Sequence, residues 1–187
     1  VSPVLAQQSM RELKLTNRSF ADVIDAATFS VFRAGYRGGF GADGDHLKTP
    51  EDIFWAFETG CSMITLDCSD HIHREAPDAP GIYGGAIAFA KRIYDEFFAA
   101  GKYAADLEIS IDETDAPTSP EQHRFIAREL LSRGVRFATL APRFCGEFQK
   151  GIDYIGDLAG FEREIEVHAQ IAREYGYKLS IHSGSDK

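Results

Sequence analysis

Short apolar runs alternate with amphipathic stretches along most of this chain, and nearly every run ends in ionisable residues. The run 62–66 leads into Asp67, and 107–111 leads into Asp112 and Glu113. The run 136–140 reaches Pro142 and Arg143, and 178–181 reaches His182. Helical spacing fills the gaps. Phe20, Val23, Ile24, Ala27 and Phe32 mark one face of a helix over 19–34, stopped by Gly35. Thr49 and Pro50 form a helix start, with Gly60 as its stop. A long helix is expected from about 85 to 100, capped by Gly101. Ser119 and Gln122 have the spacing of a capping box, on a helix that stops at Gly134. A last helix, 161–175, ends at Gly176.

Strands that alternate with helices imply right-handed βαβ units and a parallel sheet. No GxGxxG follows a strand, so the dinucleotide-binding version of that architecture has no support. Polar residues gather instead after successive strands: Asp43, Asp45 and His46, then Asp67 and Asp70, then Asp112 and Glu113, then Arg143, then His182. Functional groups at the carboxyl ends of many parallel strands are the layout of an α/β, (β/α)8 TIM barrel. A whole barrel takes about 250 residues. The 187 residues are therefore expected to form one partial barrel domain over 1–187, with five strands and roughly five βα units. An open doubly wound sheet is the alternative. Both ends read as cut, since Val1 is no initiator residue and no helix follows the last strand.

Net charge is -9 with no run of Lys or Arg, which argues against a nucleic-acid partner. An anionic small molecule remains compatible, because one Arg or Lys can hold a carboxylate inside an acidic protein. Cys61, Cys68 and Cys145 have no paired spacing and read as thiols of a reducing compartment. No apolar segment approaches the ~20 residues needed to cross a bilayer, and no signal peptide is visible. A cytoplasmic protein without a membrane partner is expected.

The stretch Gly41-Ala-Asp-Gly-Asp-His-Leu-Lys48 reads as a short loop crowded with ionisable groups. If the strand ends share one rim, His46 and His182 face a common ligand, and two His with a carboxylate suit a divalent transition metal. The alternative for each is an ordinary hydrogen-bonded histidine at the edge of the core. Asp45 points away from its neighbour His46 if the chain is extended there, which leaves it free to act as a general base; otherwise it is a turn residue. Asp43 is expected as a turn residue or as support behind the site. Glu147, in the loop after the fourth strand, is an acid or base candidate or else a surface glutamate. Arg143 and Lys48 are candidate carboxylate clamps or rim salt bridges. Ser183 and its neighbours offer hydroxyls and backbone N–H groups to a sugar, or form a plain loop. His71 and His73 are expected in solvent, and His123 and His168 on helices in structural roles.

At GADGDHLKTPEDI, TLDCSDHI, APRFCGEFQKGIDYIGD and LSIHSGSDK the sequence resembles the tagaturonate epimerase family, over essentially its whole length. The resemblance implies a metal-dependent barrel isomerase that interconverts D-tagaturonate and D-fructuronate by inversion at C4. It implies Asp45 as proton acceptor, Glu147 as proton donor, and His46 and His182 as ligands of a divalent cation. Lys48, Asp67, Arg143 and Ser183 would then bind the substrate. Members of the family are longer, and part of the metal site is expected beyond Lys187. The partner is expected to be a small sugar acid, and assembly as a homo-oligomer stays open. Another metal-dependent sugar isomerase or aldolase, or a non-catalytic relative that binds carbohydrate, are the rival expectations.

The substrate's own chemistry narrows the route. Its C4 is alpha to neither the C2 ketone nor the carboxylate, so removal of the C4 hydrogen gives no stabilised carbanion. The C4 hydroxyl is beta to the ketone. A base can therefore start retro-aldol cleavage of C3–C4, and re-addition after rotation of the aldehyde inverts the centre.

Overall fold

The computed structural model describes residues 3–148 and 152–182. Its strands are β1 (Val4–Ser9), β2 (Gly41–Leu47), β3 (Met63–Asp67), β4 (Asp106–Ser110), β5 (Thr139–Ala141) and β6 (Lys178–Leu179). The helices are α1 (Met10–Thr16), α2 (Phe20–Ala34), α3 (Pro50–Glu58), α4 (Ala79–Ile93), α5 (Pro120–Ser132) and α6 (Leu158–Tyr175). All the strands are parallel and lie side by side in chain order. Five βα units followed by a sixth strand, with no reversal of order, is the winding of a (β/α) barrel. A doubly wound sheet would reverse direction at a switch point. No helix among the described residues is long and apolar enough to cross a membrane.

Local signals set most helix ends. The Ser119 hydroxyl accepts from the Gln122 N–H at 3.2 Å, and the Gln122 side chain accepts from the Ser119 N–H at 2.8 Å. Such a cap is worth about 1 kcal/mol. Ser19 caps α2 in the same reciprocal manner, while the Thr49 hydroxyl accepts from the Asp52 N–H at the start of α3, with Pro50 in its first turn. Gly35 and Gly176 end their helices in the left-handed region.

Three expectations need correction. The long helix starts at Ala79 behind the cap Asp78, not near 85, because Gly81, Gly84 and Gly85 weaken the helical pattern of its first turns. A Cβ on Gly85 would stand 2.6 Å from the His71 carbonyl oxygen, so glycine is what lets the preceding loop pack there. Among the described residues there are six strands where five are expected, since Gln7 and Gln8 break the apolar pattern of β1. The ionisable stretch 41–47 is strand β2, not a loop. Gly and Asp are poor strand formers on average, which hid it. A Cβ on Gly44 would lie 2.9 Å from Leu47 and 3.0 Å from Ala56, so glycine here lets α3 close on the sheet.

The two faces of the sheet differ sharply in chemistry. Ile64, Leu66, Leu107, Ile109 and Leu140 are buried in one cluster with Ile53, Ala56, Ile87, Ala90, Ile126, Ala127 and Leu130 from the helices. Each such Ile or Leu contributes about 1.5–3 kcal/mol by burial. The alternate residues form the opposite, concave face, and there the pattern is polar. Gln7 is in register with Asp43, Thr65 with Glu108, and Glu108 with Thr139. Hydrogen bonds knit this row together: Gln7 to Asp43 at 3.1 Å, Thr65 to Asp43 at 3.0 Å, and Thr139 to Glu108. Barrel interiors are usually packed with Val, Ile and Leu. A buried polar row in that place needs a reason, because desolvating such groups is costly.

Candidate active site

The carboxyl ends of β2, β4 and β6 bring the sequence candidates together. Pairing between β2 and β3 slips between Gly44 and Leu47, and His46 adopts a left-handed φ of 53°. That conformation is uncommon for a residue with a side chain and gathers at functional sites. It also changes the expected geometry. Asp45 and His46 do not diverge as neighbours on an extended strand would. The bulge folds the imidazole back, so that His46 Nδ1 lies 2.7 Å from Asp45 Oδ1. A carboxylate oxygen there accepts the Nδ1 proton and leaves Nε2 as the nitrogen open to a ligand. Burial works against protonation of His46, but the bond and charge of Asp45 outweigh it and hold the ring's pKa above its usual value.

His182 arrives just past β6 and lies with its ring centroid 5.1 Å from that of His46. Its Nε2 stands 2.6 Å from Glu108 Oε1. Its Nδ1 faces Asp112 Oδ2 at 3.5 Å and, though buried, makes no hydrogen bond among the described residues. Burial disfavours the imidazolium, yet Asp112 and Glu108 together push the His182 pKa up to about 10. Asp112 is affected in the reverse sense. Burial raises it, but His182 and a 2.6 Å bond from Ser110 bring its pKa down to about 2.

His46, Asp112 and His182 offer ligand atoms that all lie within 4.8 Å of one another. Two imidazoles and a carboxylate suit a divalent transition ion. The unsatisfied Nδ1 of His182 is the kind of buried atom that such an ion would satisfy. In the sequence Asp112 stands out only as one of the polar residues that follow a strand. The signal that it closes this cluster was its place at a strand end, shared with both histidines.

Other candidates end or follow β2, β3 and β5. Lys48 donates to Asp70 at 2.9 Å and to Ser69 at 2.8 Å, and its ammonium is 3.6 Å from buried Asp67. Burial opposes its charge, but these carboxylates keep its pKa above the usual value. Asp67 also accepts from the Ser69 N–H at 2.8 Å. Arg143 is tied through its backbone to Thr118, and its buried Nε has no hydrogen bond among the described residues. Glu147 lies exposed in the loop after β5, held by an antiparallel bridge to Ile155. Ser183 lies outside the described residues. His71 is half-buried against Phe89, with ring centroids 4.2 Å apart, while His73 is exposed as expected. His123 and His168 are fully buried and bond to one another at 2.7 Å, which bears out their structural reading. Asp43, in the row beneath the site, has its pKa raised to about 7 by burial and by the charge of Asp45.

Comparison with known proteins agrees with this fold. The family model for tagaturonate epimerase (UxaE) matches residues 1–81 and 78–187. The chain is 42% identical to a tagaturonate/fructuronate epimerase of Thermotoga maritima, over 99% of this chain and 47% of that protein. It superposes with a TM-score of 0.93 on the native crystal structure of fructuronate-tagaturonate epimerase UxaE from Cohnella laeviribosi. That match has 46% identity and covers all of this chain and 47% of the other. The chain thus spans about half the length of these relatives. The YdjI aldolase of Escherichia coli K12 superposes with a TM-score of 0.61 over 99% of this chain and 58% of its own, at 18% identity, a likeness of fold alone. Matched along its whole length by the family model and by both relatives, this chain belongs to the tagaturonate epimerase family.

Proposed function

We propose that this protein interconverts D-tagaturonate and D-fructuronate by inversion at C4, using a divalent cation held by His46, His182 and Asp112. The observation that carries the reading is the cluster of these three side chains beside Asp45, on the rim where barrel enzymes place their chemistry. The substrate pair comes from the names of the relatives. A bound cation supplies positive charge against the negative charge that develops when C3–C4 breaks.

The chain's own groups supply the rest. Asp45 engages His46 through one oxygen and keeps the other for the C4 hydroxyl, whose proton it takes as the C3–C4 bond cleaves. The electron pair of that bond passes to C3 and the C2 carbonyl. The aldehyde rotates, C3 adds to its other face, and Glu147 returns a proton to the new C4 oxygen. Lys48 and Arg143 hold the substrate carboxylate, with Asp67 and Ser183 on its hydroxyls. A reducing cytoplasm suits Cys61, Cys68 and Cys145, which are all free thiols.

Incubation of metal-loaded protein with D-tagaturonate tests the proposal. Accumulation of D-fructuronate, abolished by a chelator and restored by a divalent ion, is expected. Net release of aldehyde without epimer would assign an aldolase instead, and turnover untouched by chelation would remove the metal from the account.

A further inference from the structure

The buried carboxylate of Glu108 has no part in the proposed reaction, yet it is placed with more care than any group that has. It sits near the middle of β4 on the concave face and is only 4% exposed. Two neighbouring strands satisfy it laterally. Thr139 of β5 donates to Oε2, and Thr65 of β3 lies 3.5 Å from Oε1. Oε1 is also the oxygen that stands 2.6 Å from His182 Nε2. One edge of the imidazole is therefore fixed by a carboxylate that is itself fixed by two hydroxyls. The opposite edge, Nδ1, is the unsatisfied one, and it faces Asp112 and the His46 ring.

A histidine that ligates a metal characteristically donates its second N–H to a carboxylate, which sets the tautomer and raises the basicity of the ligating nitrogen. We propose that Glu108 is the positioning residue for His182: it holds Nε2–H and thereby presents Nδ1 to the cation. This rests on the metal reading given above and deepens it. It also explains the polar row. Gln7, Asp43, Thr65, Glu108 and Thr139 form the floor of the site, a hydrogen-bonded layer that orients its ligands from beneath. On this account His46 and His182 are held in complementary fashion. Asp45 takes Nδ1 of the first and Glu108 takes Nε2 of the second, so the two rings turn opposite nitrogens to one ion.

The experiment is a Co²⁺ titration of the metal-free full chain, read by the visible d–d absorption, for the wild type and Glu108→Ala, which leaves no acceptor for Nε2–H. Loss of the carboxylate should weaken Co²⁺ binding ~10- to 100-fold, the usual worth of such a partner. Equal affinity in the two proteins overturns the role of Glu108 and leaves the metal site standing. Absence of Co²⁺ binding in the wild type overturns both. Because Ala at a buried position can perturb folding, the wild type loaded with Zn²⁺ supplies a second readout from its ¹⁵N-histidine spectrum. His182 should show a zinc-shifted Nδ1 and a protonated Nε2. A zinc-shifted Nε2 overturns the proposal whatever the variant does.

Discussion

His46 on β2 and His182 past β6 lie with their ring centroids 5.1 Å apart, although β3, β4 and β5 intervene along the sheet. Only curvature of the sheet brings such distant strand ends to one place, so this pair reports barrel geometry and site geometry together. Asp112 brings a carboxylate oxygen within 4.8 Å of a nitrogen of each ring, and each ring has a second carboxylate bonded to it, Asp45 for His46 and Glu108 for His182.

If both rings bind one ion, His46→Ala and His182→Ala each lower the content of divalent metal in purified protein by at least ~10-fold, since each removes a ligand. His73→Ala leaves it unchanged, because that side chain is exposed and outside the cluster. Metal analysis of the purified variants decides this, and full occupancy in both alanine variants would remove the histidines from the site.

Asp45→Asn separates base from support. The amide oxygen can still accept the Nδ1 proton of His46, so metal content stays near wild type. Turnover falls by ~10²-fold or more, as expected when a positioned base is removed. Loss of metal in step with activity would instead make Asp45 chiefly the holder of His46.

The buried pair His123–His168 predicts a pH effect on stability far from the rim. Burial, then the neighbouring His168, lower the His123 pKa from 6.5 to about 3. The unfolded chain therefore takes up a proton below pH 6.5 that the folded chain refuses until about pH 3. Stability contributed by this site is present above pH 6.5 and is lost as pH falls through that window. Denaturant titrations at pH 7 and pH 5 should show a smaller acid loss for His123→Phe than for the wild type. The difference should approach about 1.4 kcal/mol per pH unit for one proton. Identical slopes would contradict it.

β1 and β6 each pair on one side only among the described residues, and Val4 and Leu5 are exposed on β1. Open strand edges template association. Residues 1–187 produced alone should form oligomers or aggregates at micromolar concentration, visible by light scattering. A monomer with a sharp, high-temperature melt would show that these edges are protected.

The strand–helix rhythm made the barrel and most helix caps readable, because capping residues such as Ser19, Thr49 and Ser119 act locally. His46 and His182 could be proposed as partners because both sit at strand ends. Less visible were features whose reasons lie across the sheet. Gly44 in a strand is understandable only from Ala56 and Ile64 packed beside it. Gln7 on β1 is explained by Asp43 on the next strand. The left-handed turn at His46, which folds it onto Asp45, has no local signature in its sequence. Glu108 is hidden within an apolar run, since nothing near it in the chain announces His182.

The most direct test of the central claim is turnover of D-tagaturonate in D₂O, with the product examined by NMR. A retro-aldol inversion keeps the C4 hydrogen on its carbon throughout, so D-fructuronate should form with protium at C4. Deuterium at C4, or failure of the metal-loaded protein to form D-fructuronate at all, would contradict the account.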